Sequence, residues 1–85
     1  MATKIVEVTA QDWTELSAAE KGCFENQSGS TLLYWVAETK PASAMTKGHN
    51  LGHARHIGYQ MDTSLLMKLW GRVLSGGGDV VVTEY

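Results

Sequence analysis

The C-terminal stretch constrains the fold more than any other. Val80-Val81-Val82-Thr83-Glu84-Tyr85 is rich in β-branched residues and predicts a strand, and Ser75-Gly76-Gly77-Gly78-Asp79 before it predicts a flexible connection. A strand needs a partner, and the partner with the least closure entropy is the segment just upstream of the glycines. That segment has two periods. Leu65, Leu66, Leu69, Trp70 and Val73 form a helical stripe, yet Met67, Leu69, Gly71 and Val73 also alternate with Lys68, Trp70, Arg72 and Leu74. Gly71 in the middle weakens the helix. The expectation is a C-terminal hairpin with Trp70 and Arg72 on the face opposite Leu69 and Val73. The alternative is a helix over residues 63–74 followed by a lone strand.

Further strands are predicted upstream. Ile5-Val6-Glu7-Val8 is short and β-branched, and Thr31-Leu32-Leu33-Tyr34-Trp35-Val36-Ala37 carries apolar side chains on both faces. The latter is a central strand or one with a face against another subunit. Gly22 to Gln27 reads as a strand entering a turn at Asn26-Gln27-Ser28-Gly29-Ser30. Pro41, the only proline, ends the Thr31–Ala37 strand, and a loop runs to about Asn50. Leu51 to Met61 reads as one strand. Between the first two strands, Thr9 or Asp12 would cap a helical turn, or Trp13 and Leu16 would anchor an irregular segment across a sheet; Ser17 and Glu20 have capping-box spacing.

Eighty-five residues without an internal linker predict one domain with a small core, which makes oligomerisation a natural source of extra stability. Seven Lys and Arg against nine Asp and Glu leave no basic stripe for a phosphate backbone, so nucleic acid is not an expected partner. No stretch approaches the roughly 20 apolar residues of a membrane span, and the N-terminus lacks a signal-peptide core, which predicts a soluble protein made in a cytoplasm. Cys23 has no second thiol to pair with and reads as a small hydrophobe.

Catalytic patterns find no footing. A phosphate-binding loop needs a helix after its glycines, and here a valine strand follows. Asp12 and Glu15, or Asp62 and Asp79, belong to no pocket-forming pattern, and no Gly-x-Ser-x-Gly accompanies the serines. His49, His53 and His56 would gather on one helical face and hold zinc there, but on a strand His53 and His56 diverge, and Gly48, Gly52 and Gly58 disfavour the helix. They read as surface or loop residues. The expectation is a protein that is not an enzyme, with no cofactor and no metal. The aromatic residues remain: Trp13, Tyr34, Trp35 and Trp70 are either core or contacts with another chain or with sugar rings.

Several of these pieces together resemble a known group of proteins. Phe24-Glu-Asn-Gln-Ser-Gly-Ser-Thr-Leu-Leu-Tyr-Trp-Val-Ala-Glu-Thr-Lys-Pro41, then Gly48-His-Asn-Leu51, then Leu69-Trp-Gly-Arg-Val-Leu-Ser-Gly-Gly-Gly-Asp-Val-Val-Val-Thr-Glu84 resembles the small β-sandwich virion proteins of tailed bacteriophages over roughly residues 13–84. The resemblance implies a non-enzymatic virion component, made in the host cytoplasm, of capsid decoration, head-fibre or tail accessory type. Its partners would be sister subunits in a homo-oligomer and a major capsid or tail protein, with Trp13, Tyr34, Trp35 and Trp70 as candidate interface residues. It carries no active-site residues. The alternative is a carbohydrate- or protein-binding module for host recognition. The fold expected is all-β, a small antiparallel sandwich or jelly-roll-like barrel closed by the C-terminal hairpin, with a short N-terminal arm at about residues 1–10.

Overall fold

A computed structural model describes residues 2–85. Eight strands follow in chain order: β1 (Ala2–Thr9), β2 (Thr14–Ser17), β3 (Lys21–Asn26), β4 (Leu32–Ala37), β5 (His49–Leu51), β6 (His56–Gln60), β7 (Lys68–Val73) and β8 (Gly77–Glu84), with one 3-10 turn at Thr63–Leu65. They form two antiparallel sheets, β1-β8-β3-β6 and β2-β7-β4-β5, packed face to face. Ala2 stands opposite Glu84, Thr14 opposite Gly71, Lys21 opposite Gln60 and Leu32 opposite Leu51. The chain is therefore one long two-stranded ribbon, doubled at residues 38–48 and rolled so that successive rungs alternate between sheets. That is the eight-stranded double-sheet jelly roll, the architecture expected.

The expected C-terminal hairpin does not form. β7 lies between β2 and β4, while β8 lies between β1 and β3 in the other sheet. Leu74–Gly76 is an arch across the sandwich, with Leu74 N–H donating to Thr31 O, Gly76 O accepting from Ala10 N–H, and Gly76 at φ 68°. Closure entropy favours the nearest partner, but both strands are central and each has two other neighbours. Stacking the strands across the core buries Leu69 and Val73 against Val80 and Val82, which a flat hairpin would leave on one open face. The helical alternative fails too: only the 3-10 turn precedes β7.

Three further expectations change. Residues 2–9, read as an arm, are the full-length strand β1 paired along β8; Met1 lies outside the described residues. Leu51–Met61 is not one strand, because β5 and β6 belong to different sheets and the chain turns between them through Ala54 at φ 61°. Ser17 caps no helix; it ends β2, and its hydroxyl accepts from Ala19 N–H.

The main core comprises Val8, Leu16, Phe24, Leu32, Leu51, Met61, Leu69, Val73, Val80 and Val82. Gly71 belongs to it as a gap: a methyl group there would lie 2.8 Å from Leu16 Cδ1 and 3.3 Å from Leu32 Cδ1. The glycine lets β2 and β4 close over β7. At the turn after β3, Asn26 ties sequence to fold. Its amide donates to Ser30 O and Leu51 O, and its carbonyl oxygen accepts from Ser28 N–H and Oγ.

Candidate functional site

Part of the outer face of the β2-β7-β4-β5 sheet is covered by the strap of residues 38–48. Trp70 and Arg72 share this face, opposite Leu69 and Val73 as the alternation predicts. Trp13, Leu33 and Trp70 form a second apolar cluster beneath the strap, with Ala37 and Met45 packed against it. Arg72, only 5% exposed, donates to Ser43 O and Met45 O of the strap and to Ala10 O, and its guanidinium stands 5.7 Å from the Trp13 ring centroid. Trp13 Nε1 donates to Met45 O and Trp70 Nε1 to Ala37 O. Lys40 reaches Asp12 at 2.6 Å, and this ion pair, joined by the Trp13 N–H, holds the Asp12 carboxyl below its ordinary range.

The four aromatic residues singled out from the sequence therefore part company. Trp13 and Trp70 are buried within the chain under the strap. Tyr34 faces the main core, edge-on to Phe24 at 5.1 Å. Trp35, paired with Trp70 across β4 and β7, is 36% exposed and the one of the four open to solvent.

The histidines do not converge. His49 opens β5 beside the Tyr34 ring, the His53 ring bonds Ser28 O from the β5–β6 loop, and His56 opens β6 in the other sheet. Among the described residues no three His, Cys, Asp or Glu side chains are grouped to hold a metal ion. Nor, among them, is any helix long and apolar enough to cross a membrane.

A polar cluster at the end of the sandwich where β8 finishes links the sheets. Ser17 of β2 is fully buried, donates to Glu84 of β8 at 2.6 Å and meets the Tyr59 hydroxyl of β6 at 2.6 Å. Lys4 of β1 stands 3.4 Å from the same carboxylate. The serine bond, then Lys4, hold Glu84 below its usual range; burial pushes Tyr59 up against the opposing pull of Ser17. Serine, tyrosine, lysine and glutamate side by side suggest a nucleophile at first sight. Here the hydroxyl is sealed from solvent and bonded to its neighbours on both sides, so the cluster acts as a clasp between sheets.

The outer face of the β1-β8-β3-β6 sheet is open. Thr3, Ile5 and Glu7 alternate outward from β1, beside Thr83, Val81 and Asp79 of β8 and Cys23 and Glu25 of β3. Ile5 is 69% exposed. The residues around Ile5 predict the strand but not its facing, because Ile5 and Val6 are both apolar. The signal that decides it is the register of Val8, Val80 and Val82, which sets even-numbered residues of β1 inward. Comparison with known proteins gives no match: no family model, curated protein or solved structure corresponds to the chain.

Proposed function

We propose that this protein is a non-enzymatic structural component of a phage virion, decorating or stabilising the capsid or attaching an appendage through oligomeric β-sheet contacts. The observation carrying this reading is where the polar chemistry lies. Ser17, Asn26, Ser28 and Arg72 are buried and bonded to other parts of the fold, and among the described residues no buried side-chain nitrogen or oxygen lacks a partner. What the molecule offers outward is sheet: an open β-branched face and a long strand edge. The double-sheet jelly roll is also an architecture of viral capsid domains, an analogy of fold that supports the reading without carrying it.

Quantitative mass spectrometry of particles released from producing cells tests the proposal. Many copies per particle are expected; a chain found only free in the lysate overturns it. The alternative, a carbohydrate- or protein-binding module, draws on exposed Trp35, since lectin domains share this architecture. A stable monomer that binds immobilised glycans and leaves particles untouched would select it.

A further inference from the structure

We infer that the free edge of β1 is a two-fold interface at which a second copy of this chain adds its own β1, antiparallel, joining two four-stranded sheets into one of eight strands. This rests on the assembly reading above and names the surface that would carry it. The two sheets have four edge strands: β1, β6, β2 and β5. β5 has three residues, β2 has four and a register shift between Glu15 and Ser17, and β6 has five with Gly58 at its centre. β1 runs for eight residues in unbroken register with β8 and contains no proline. Long, regular, exposed edges invite pairing, and proteins that avoid it interrupt them.

The direction of the backbone groups follows from one bond. Ala10 N–H donates to Gly76 O, extending the β1–β8 register. In an antiparallel ladder alternate residues bond to the same neighbour, so even-numbered residues of β1 serve β8. Thr3, Ile5, Glu7 and Thr9 turn their N–H and C=O groups to the free edge. A two-fold axis perpendicular to the sheet keeps inner face beside inner face and requires the residue on the axis to meet itself.

With Ile5 on the axis, the exposed isoleucine covers its own copy, Thr3 lies opposite Glu7 of the second copy, and the hydroxyl can donate to the carboxylate. On the inner face Lys4 lies opposite Val6 and Ala2 opposite Val8. Centring on Val6 instead sets Ile5 against a carboxylate and brings the two Glu7 side chains onto one diagonal. The self-complementary register is the one through Ile5, which makes a second copy the partner that fits.

The test is sedimentation velocity on the full chain and two variants, with disulfide cross-linking of two more. Wild type is expected to be dimeric, or assembled from dimers, at tens of micromolar. Ile5→Lys places two cations on the axis, and Ile5→Pro removes an N–H that β8 does not use; each is expected to raise the dissociation constant at least tenfold with an unchanged circular dichroism spectrum. If the proline variant fails to fold, the lysine variant and a cross-link decide. In a Cys23→Ser background, Ile5→Cys is expected to form a disulfide dimer on oxidation, since paired residues stand about 5.5 Å apart at Cα. Val81→Cys, one strand inward on the same face, is expected to form no disulfide cross-link. Dimers that survive Ile5→Lys and Ile5→Pro, or an Ile5→Cys variant that does not cross-link, overturn the edge assignment and leave the assembly reading intact. A monomeric wild type that is still incorporated into particles also overturns the inference alone; one that is absent from particles overturns both.

Discussion

Arg72 shows how this small protein keeps a buried charge without a carboxylate bonded to it. Carbonyl oxygens of Ala10, Ser43 and Met45 share its donors, and the Trp13 ring covers it. The guanidinium fork suits this geometry because it sends several donors in fixed directions, which an ammonium cannot. Arg72→Met removes the donor to Ala10 O and Ser43 O and leaves Met45 O to Trp13 Nε1 alone, and is expected to cost about 2–3 kcal/mol in a urea unfolding titration, with Arg72→Lys between it and wild type. The Ser17 clasp gives a pH signature. Glu84 has a folded-state pKa below its unfolded value, so its contribution is present at neutral pH and lost as pH falls through the carboxylate range. Tyr59 is shifted the other way, and its share is lost as pH rises past about 10. Unfolding midpoints are expected to drop at both extremes, and Ser17→Ala to flatten the acid limb by removing the bond that lowers Glu84; an unchanged acid limb would show that the clasp does not set it.

At the scale of elements, the strap makes a loop part of the core. It covers Trp13 and Trp70 but leaves Trp35 open, so acrylamide should quench one of the three tryptophans readily. Trp35→Phe is expected to abolish most of the accessible fluorescence and to leave stability nearly unchanged, while Trp13→Ala should cost about 3–5 kcal/mol. Three equally quenched tryptophans would mean that the strap is not closed. The sequence was legible wherever a local rule decided the outcome. Leu69, Gly71 and Val73 alternate with Trp70 and Arg72 as written, and Asn26 to Ser30 makes the turn its composition predicts. It was illegible where distant partners decided. Nothing in Val80–Val82 announces that its neighbours are the strands of Ile5 and Phe24 rather than that of Trp70, because pairing depends on how the whole ribbon rolls. Nor does any period in residues 38–48 reveal that they cover two tryptophans; that follows from carbonyls which only the folded strap presents to Arg72.

For the molecule as a whole, the ribbon layout makes the pairings distant in sequence. β1 meets β8 and β3 meets β8, so most loop closure must precede the contacts that reward it. Refolding followed by stopped-flow fluorescence is expected on the millisecond-to-second scale of all-β domains, and a microsecond phase carrying the full amplitude would contradict it. The same layout gives the protein a direction of mechanical weakness. Ala2 and Glu84 face each other at one end of the ribbon, so handles attached there load a single rung at a time, and β1 peels from β8 as a zipper opens. Handles on Ala2 and Gly77, at opposite ends of the same pair, would instead shear the two strands past each other with their rungs resisting together. The difference in rupture force between the two pulling geometries is a tensile reading of how the chain is rolled.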